Sequence, residues 1–353
     1  QTTAVSLSPS SISYSPTLST TLNGSGGNAG SYSYSYNTTG TAGCSVSGST
    51  LTYLRAGSCV VNVNRGGDTN YNSRTDQVTF TVAKATQNAL GLSTTSTTYT
   101  PVVANKTISL AYTGGSGTGS VTYALGSAGT AGCSVSGSTL TYSTGGTCTV
   151  TVTRATDTNY LVRSDTITMT VNLASQTVTI SNGNGSTDTA TYGDDTYSIS
   201  ASTSGDGTLS YSKSGAACTV NASTGVISIL TAGSCVVTVT AAATSNYTTA
   251  SATFTLTINA KSISVTAKSK TYTYGAVAVS DSGFTNSQLV GSDSLSGITC
   301  STTYFQFAHV ADAANYSTTC SQAPGSNPNY SISFVPGTVS ITAKAATVTA
   351  GNQ

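Results

Sequence analysis

Eight cysteines set the organisation of this chain. They lie at Cys44, Cys59, Cys133, Cys148, Cys218, Cys235, Cys300 and Cys320. In chain order they form four pairs, with separations of 15, 15, 17 and 20, and the first members recur after 89, 85 and 82 residues. An Asn-Tyr dipeptide recurs with them, at Asn70-Tyr71, Asn159-Tyr160, Asn246-Tyr247 and Asn329-Tyr330. The octapeptide Ala42 to Ser49 returns as Ala131 to Ser138, and Ala56 to Val61 returns as Ala232 to Val237. A repeat of 20–50 residues would mean a solenoid or a propeller. A period of about 87 instead means a string of small complete domains. The spacing places them at residues 1–85, 86–173, 174–260 and 261–345, with 346–353 left over.

Each such unit has a thin core. Val, Leu, Ile and Phe number 64, or 18% of the chain, and small domains bury a poor fraction of their surface. A disulfide closing a loop of ~15 residues adds roughly 3 kcal/mol by the chain-entropy argument. One bridge per repeat therefore makes physical sense. Eight cysteines allow 105 connectivities, but a pairing that recurs four times must lie within the repeat. The expected bridges are Cys44–Cys59, Cys133–Cys148, Cys218–Cys235 and Cys300–Cys320. The competing use of cysteine is zinc, which wants close spacings and histidine nearby. No pair here is that close, and the one histidine, His309, serves only the last repeat. No metal and no cofactor is expected. Paired cysteines point to an oxidising compartment, outside the cell or on its surface.

Charge narrows the function. Charged residues are 7% of the chain, with a formal net charge of +1, and all eleven acids are Asp. No basic patch is present to neutralise nucleic-acid phosphates, and no apolar run approaches the ~18 residues of a membrane helix. No signal-peptide pattern is visible, so Gln1 follows a processed end or begins a fragment. The usual acid–base residues are nearly missing, which disfavours an enzyme; no catalytic residue is assigned.

The local pattern is that of strands. Residues 58–64 and 77–82 alternate polar and apolar, and 147–153 with 165–171 and 235–240 with 253–258 repeat the pair. Such runs, broken by Gly, Asn and Asp, argue for an antiparallel sandwich. The run Gly24 to Gly30 reads as a loop. Tyr34, Tyr123 and Tyr211 occupy equivalent places before the first cysteine of each repeat. They are expected in the core, beside the disulfide, where antibody-type sandwiches place a Trp.

At this point the chain resembles known repeats. "CSVSGSTLTYLRAGSCVVNVNRGGDTNYN", its copy "CSVSGSTLTYSTGGTCTVTVTRATDTNY", and "ATYGDDTYSISA" with "AGSCVVTVTAAATSNYTTASATFTLTINA" resemble bacterial Ig-like surface repeats. The last repeat, with "SKTYTYGAVAV", "GFTNSQLVGSDSLSG" and "NPNYSISFVPGTVSITA", resembles the MBG-type repeats of large bacterial adhesins. The resemblance implies an all-β tandem array of four small β-sandwich domains in a secreted or cell-surface, non-enzymatic protein. It carries no catalytic residues.

The boundaries 83–86, 172–175 and 259–261 are short and are not flexible Gly/Ser linkers. The last strand of one repeat is expected to run almost directly into the first of the next, giving an elongated rod of roughly 140–170 Å at ~3.4 Å per strand residue. Ala346, Thr347, Val348, Thr349 and Ala350 read like another opening strand. This fits a piece of a longer array, a strand donated to the next subunit of a filament, or packing on its own repeat. The edge strands carry few protecting charges, with seven Lys, five Arg and six Pro in the whole chain. Eight N-x-S/T sequons occur, at Asn23, Asn37, Asn105, Asn184, Asn221, Asn246, Asn315 and Asn329.

Other candidate sites have blander readings. Asp68 with Asp76, Asp157 with Asp165, and Asp194-Asp195 offer at most two carboxylates each, too few for calcium; turn and capping roles fit them. A Lys–Asn isopeptide crosslink normally uses a nearby buried acid, and the chain has no Glu. His309 with Ser301 and Asp312 lacks a nucleophile elbow and an oxyanion motif. Tyr32, Tyr34 and Tyr36 share a strand face and suggest a sugar-stacking strip, but the matching Val121, Tyr123 and Leu125 favour core packing. Three function classes follow. One is the shaft or polymerising subunit of a surface fibre, which self-associates or continues a longer array. Another is a module binding a glycan or protein, with its site between Ser301 and Pro328, where repeat symmetry breaks. The third is an accessory region of a secreted enzyme.

Overall fold

The computed structural model describes residues 2–279 and 283–349. It is built of strands, with two short 3-10 turns at Val103–Asn105 and Val310–Asn315. Among the described residues no helix is long and apolar enough to cross a membrane. The chain divides into two compact units, one ending at Ala174 and the other starting at Ser175.

In the first unit, the first repeat has a four-stranded sheet in the order Ser11–Ser13, Arg74–Ala83, Gly57–Arg65, Tyr32–Thr38. Across the core from it lie a three-stranded sheet (Ser19–Thr21, Thr50–Thr52, Ser45–Ser47) and a pair (Val5–Leu7 with Gly24–Gly26). Alternation explains the packing. Along Gly57–Arg65 the side chains of Cys59, Val61 and Val63 are buried, and their neighbours face outward. Leu51, Tyr53, Val61, Val63, Phe80 and Val82 are at most 1% exposed. The second repeat copies this plan, with Ser96–Thr98, Arg163–Asn172, Gly146–Arg154 and Val121–Ser127 in its four-stranded sheet. In both, a short early strand runs parallel to the last strand: Ser11–Ser13 beside Thr81 to Ala83, and Ser96–Thr98 beside Thr170 to Asn172.

In the second unit, the third repeat keeps the order, with Thr187–Thr191, Ala250–Asn259, Gly233–Ala241 and Leu209–Ser214. The fourth does not. Its three-stranded sheet is Phe284–Asn286, Lys261–Ala267, Tyr330–Val335, and its four-stranded sheet is Lys270–Thr273, Gly337–Thr342, Ser317–Gln322, Ile298–Thr302. Two separate buried clusters replace the single core of the other repeats.

The disulfides follow the same division. Cys44–Cys59, Cys133–Cys148 and Cys218–Cys235 tie the edge strand of the three-stranded sheet, at or just before its first residue, to the long strand of the opposite sheet, with Cα separations of 6.1, 6.2 and 5.7 Å. Cys300–Cys320 joins directly opposed residues of neighbouring strands, 4.0 Å apart at Cα.

Several sequence expectations are corrected. Gly24–Gly26 is a strand, not a loop. Glycine is needed at position 24 because a Cβ there would lie 2.3 Å from the Tyr32 ring. Tyr34, Tyr123 and Tyr211 are not set opposite the disulfide. The register places them opposite Val63, Val152 and Val239, four residues beyond the cysteine of the same strand, or ~13 Å at ~3.3 Å per residue. Phe80, Met169 and Leu256 take the place facing the cysteines. The boundary after Ala83 is not strand-to-strand: residues 84–89 intervene before Leu90–Leu92, with one bridge at Ala85. Only Ala260 separates Ala250–Asn259 from Lys261–Ala267. Ala346, Thr347, Val348 and Thr349 form no strand and are exposed, Val348 by 91%, so they do not pack on their own repeat. Ala350 and residues 351–353 lie outside the described residues.

Candidate functional site

The feature with most chemistry in it is the Asn-Tyr turn. In the first repeat Asp68 Oδ1 accepts the backbone N–H groups of Asn70 and Tyr71 at 2.8 and 2.9 Å. In the second, Asp157 Oδ1 accepts those of Asn159 and Tyr160, both at 2.8 Å. In the third, Thr244 Oγ1 does the same for Asn246 and Tyr247. This is the side-chain-to-backbone turn that Asp and Thr favour. Burial pushes the Asp157 carboxyl up, but N–H groups of Thr118, Asn159, Tyr160 and Gly119 outweigh it and hold it below the ordinary carboxylate range.

The turn joins consecutive repeats. In the first unit, Asn159 Oδ1 accepts the N–H of Ala56, and its backbone oxygen accepts that of Ala85, both at 2.9 Å. Ala85 in turn accepts the N–H of Leu161 at 2.9 Å, closing a parallel bridge across Tyr160. Lys84 Nζ donates to Thr156 Oγ1 at 3.0 Å. The rings of Tyr14 and Tyr160 meet edge to face, 5.5 Å between centroids. Buried Gln87 donates Nε2 to the Leu161 and Ala155 carbonyls.

The second unit repeats this. Asn329 Oδ1 accepts the N–H of Ala232, and its backbone oxygen that of Lys261, both at 2.9 Å. Lys261 is the parallel partner of Tyr330. The rings of Tyr192 and Tyr330 meet edge to face at 5.7 Å. Both hydroxyls donate to Asp293 Oδ2, at 2.9 Å from Tyr192 and 2.7 Å from Tyr330. Those two bonds hold the Asp293 carboxyl below its ordinary range. Burial, and then Asp293, push both tyrosines above theirs.

Tyr14 and Tyr192 belong to a set of four. Tyr14, Tyr99, Tyr192 and Tyr274 each follow the short parallel strand and donate their N–H to the last strand, at Ala83, Asn172, Asn259 and Thr342. Sequence reading found the Asn-Tyr dipeptides but missed this set, together with Ala56, Ala232 and Asp293. The signal was present: a tyrosine closing each of "SISY", "STTY", "TATY" and "TYTY".

The joint is cohesive enough to test. Asn159→Ala leaves the half-buried Ala56 N–H without its acceptor, a loss of about 1 kcal/mol. Tryptic cleavage after Lys84 is then expected to rise about fivefold. Asn70→Ala, away from that joint, leaves this cleavage unchanged. An unchanged rate in Asn159→Ala would show that the bond does not hold the joint.

The other candidates are structural. Asp76 Oδ2 accepts Arg74 Nε at 2.7 Å and the N–H of Val5 at 2.6 Å; Asp165 Oδ2 accepts Arg163 Nε at 2.6 Å and the N–H of Leu90 at 2.8 Å. Each aspartate thus pins the first strand of its repeat. The arginine bond, then the strand N–H, hold both carboxyls below their ordinary range. Their contribution is full above the unfolded value near 4 and is lost as pH falls through the depressed folded value. Melting midpoints of the first two repeats are expected to fall on acidification below about pH 4, and Asp165→Asn to flatten that fall in the second. Calorimetry at a series of pH values reads both; a flat profile in the unaltered chain would contradict the assignment.

Asp194 Oδ2 accepts the N–H of Thr191 at 2.7 Å. Among the described residues no group of three or more metal-ligating side chains exists. Ser301 sits in Ile298–Thr302, and His309 and Asp312 are linked through the backbone, Asp312 N–H to the His309 carbonyl. Tyr32 lies under Arg65 at 4.3 Å and Tyr34 accepts the Gly24 N–H, which leaves Tyr36 as the exposed ring of the three.

Residues 263–340 match the MBG domain family of the YGX type, and the fourth repeat carries Tyr274-Gly275-Ala276. No curated protein matches the chain. Among solved structures, the chain is similar to Drosophila N-cadherin EC1-4 at 9% identity, over 90% of this chain and 93% of that one, with a TM-score of 0.27. Sidekick-1 immunoglobulin domains 1-5 match at 12% identity, over 95% and 79%, with a TM-score of 0.29. TM-scores of this size identify no shared whole-chain fold.

Proposed function

We propose that the protein is a non-enzymatic extracellular structural protein, the shaft or subunit of a cell-surface fibre. Its four domains would be residues 1–85, 86–173, 174–260 and 261–345, each stapled by its own disulfide. The observation that carries this reading is the recurring joint. A side-chain amide, a backbone bridge and an aromatic pair fasten one repeat to the next in both units. A chain built to hold spacing needs such fixed joints; a chain of loosely tethered modules does not. The match to an MBG domain and the four disulfides fit a secreted or surface location.

Strand donation by Ala346 to Ala350 is one way to polymerise. In the first repeat the opening-strand position is already filled by Val5–Leu7, paired with Gly24–Gly26 and pinned by Asp76. A donated strand there would have to displace it. Antibody against the chain is expected to label fibres on intact cells of the source organism; label confined to the cell interior would overturn the reading. A second reading, a stalk with a glycan- or protein-binding surface in the last repeat, is favoured by exposed Phe305, Phe307 and Val310 between Ser301 and Pro328. Binding on a glycan array, lost with Phe305→Ala, would support it.

A further inference from the structure

Parts of this joint stand exposed in the first repeat and in the fourth. Of the four Asn-Tyr tyrosines, Tyr247 and Tyr330 are 8% and 7% exposed, and Tyr160 is half-buried against Tyr14. Tyr71 is 40% exposed, and among the described residues its ring meets no other ring. Its turn nevertheless has the same construction as that of Tyr160, down to the Asp68 cap and the return bond from Asp68 N–H to the Tyr71 carbonyl at 2.9 Å. Of the receiving tyrosines, Tyr14, Tyr99 and Tyr192 are half-buried, whereas Tyr274 is 36% exposed. Among the described residues Tyr274 meets rings of its own repeat, Phe307 at 6.1 Å and His309 at 6.3 Å. Phe307 is itself 58% exposed, so this end of the fourth repeat is an apolar face.

The outgoing segment matches too. Ala85 and Lys261 stand two residues after the carbonyl that receives the tyrosine N–H, and each donates its own N–H to an Asn-Tyr turn at 2.9 Å. The equivalent residue after Thr342 is Lys344, which is exposed and lies in no strand.

Building on the fibre reading, we propose that the end face of the fourth repeat, formed by Tyr274, Phe307 and the segment through Lys344, docks the Asn70-Tyr71 turn of a second copy of this chain. Tyr71 meets Tyr274 edge to face, and the Asn70 carbonyl accepts the Lys344 N–H, as at the two joints already formed. Such a contact is head-to-tail. It uses different surfaces on the two partners and leaves one of each unused in every assembly, so it propagates.

Complementation tests this. Sedimentation velocity of the unaltered chain, at concentrations up to about millimolar, should show a mass that keeps rising with concentration, past that of a dimer. Tyr71→Ala and Tyr274→Ala should each weaken association at least about tenfold. An equimolar mixture of the two should form dimers and nothing larger, because each variant retains the half the other has lost. Tyr71→Leu, which removes the ring but keeps an apolar side chain, should behave as Tyr71→Ala does, and stands in for it if that variant melts early by circular dichroism. An unaltered chain that remains monomeric overturns the docking but leaves the shaft reading to the cell-surface labelling. Association that survives both single variants, or a mixture that stays monomeric, overturns it as well.

Discussion

Replacing Cys44 and Cys59 together by alanine is expected to lower the melting midpoint of the first repeat by about 12–24 °C. The bridge closes a loop of 15 residues, worth about 3 kcal/mol by loop entropy, and each kcal/mol moves the midpoint of a domain this size by about 4–8 °C. The effect should be local. The bridge ties the three-stranded sheet to the four-stranded sheet across one core, and the buried residues of that core all lie between Val5 and Val82. What passes to the second repeat goes through the Asn159 joint, which carries about 1 kcal/mol per bond. Calorimetry of the whole chain should therefore show one transition moving away from the rest. Simultaneous collapse of every transition would contradict independent repeats.

Phe80→Ala should cost about 3–5 kcal/mol. Phe80 is 1% exposed, stands opposite Cys59 in the ladder and belongs to the core of the first repeat. Truncation leaves a void that rigid neighbours on both sheets cannot fill. Phe80→Leu should cost less than about 2 kcal/mol, since the same structural place holds Met169 in the second repeat and Leu256 in the third. Urea unfolding followed by tyrosine fluorescence reads both. Equal losses for the two variants would mean that shape, rather than volume, decides the site.

Much of this was legible in the sequence because each repeat restates it. The alternation in 58–64 and 77–82 marks the two longest strands of the first repeat, observed as Gly57–Arg65 and Arg74–Ala83. The short strands were harder. Gly24–Gly26 is a strand only because the Tyr32 ring needs the space and Val5–Leu7 supplies the partner, and neither fact is local. The place of Tyr34 was misjudged for the same reason: its distance from the cysteine along the chain says nothing of register. The Asn-Tyr turns stood out by repetition, but their role depends on Ala56 and Ala232, which lie 103 and 97 residues away. The changed strand order of the fourth repeat was signalled by its different text and wider cysteine spacing, without the new order being readable from either.

The parallel pairing of an early strand with the last strand has a mechanical consequence. Tension drawn through the chain pulls Ser11–Ser13 and Thr81 to Ala83 in opposite directions along their length. The bonds between them are then sheared together rather than peeled one by one. The third repeat has five residue pairs in this clamp and the fourth has four, against three in the first and second. The first two repeats should therefore yield at lower force. When they do, the disulfides keep the 15-residue loops closed, so residues 45–58 and 134–147 stay out of the path of the load and each yielding repeat lengthens the chain by less than its full contour.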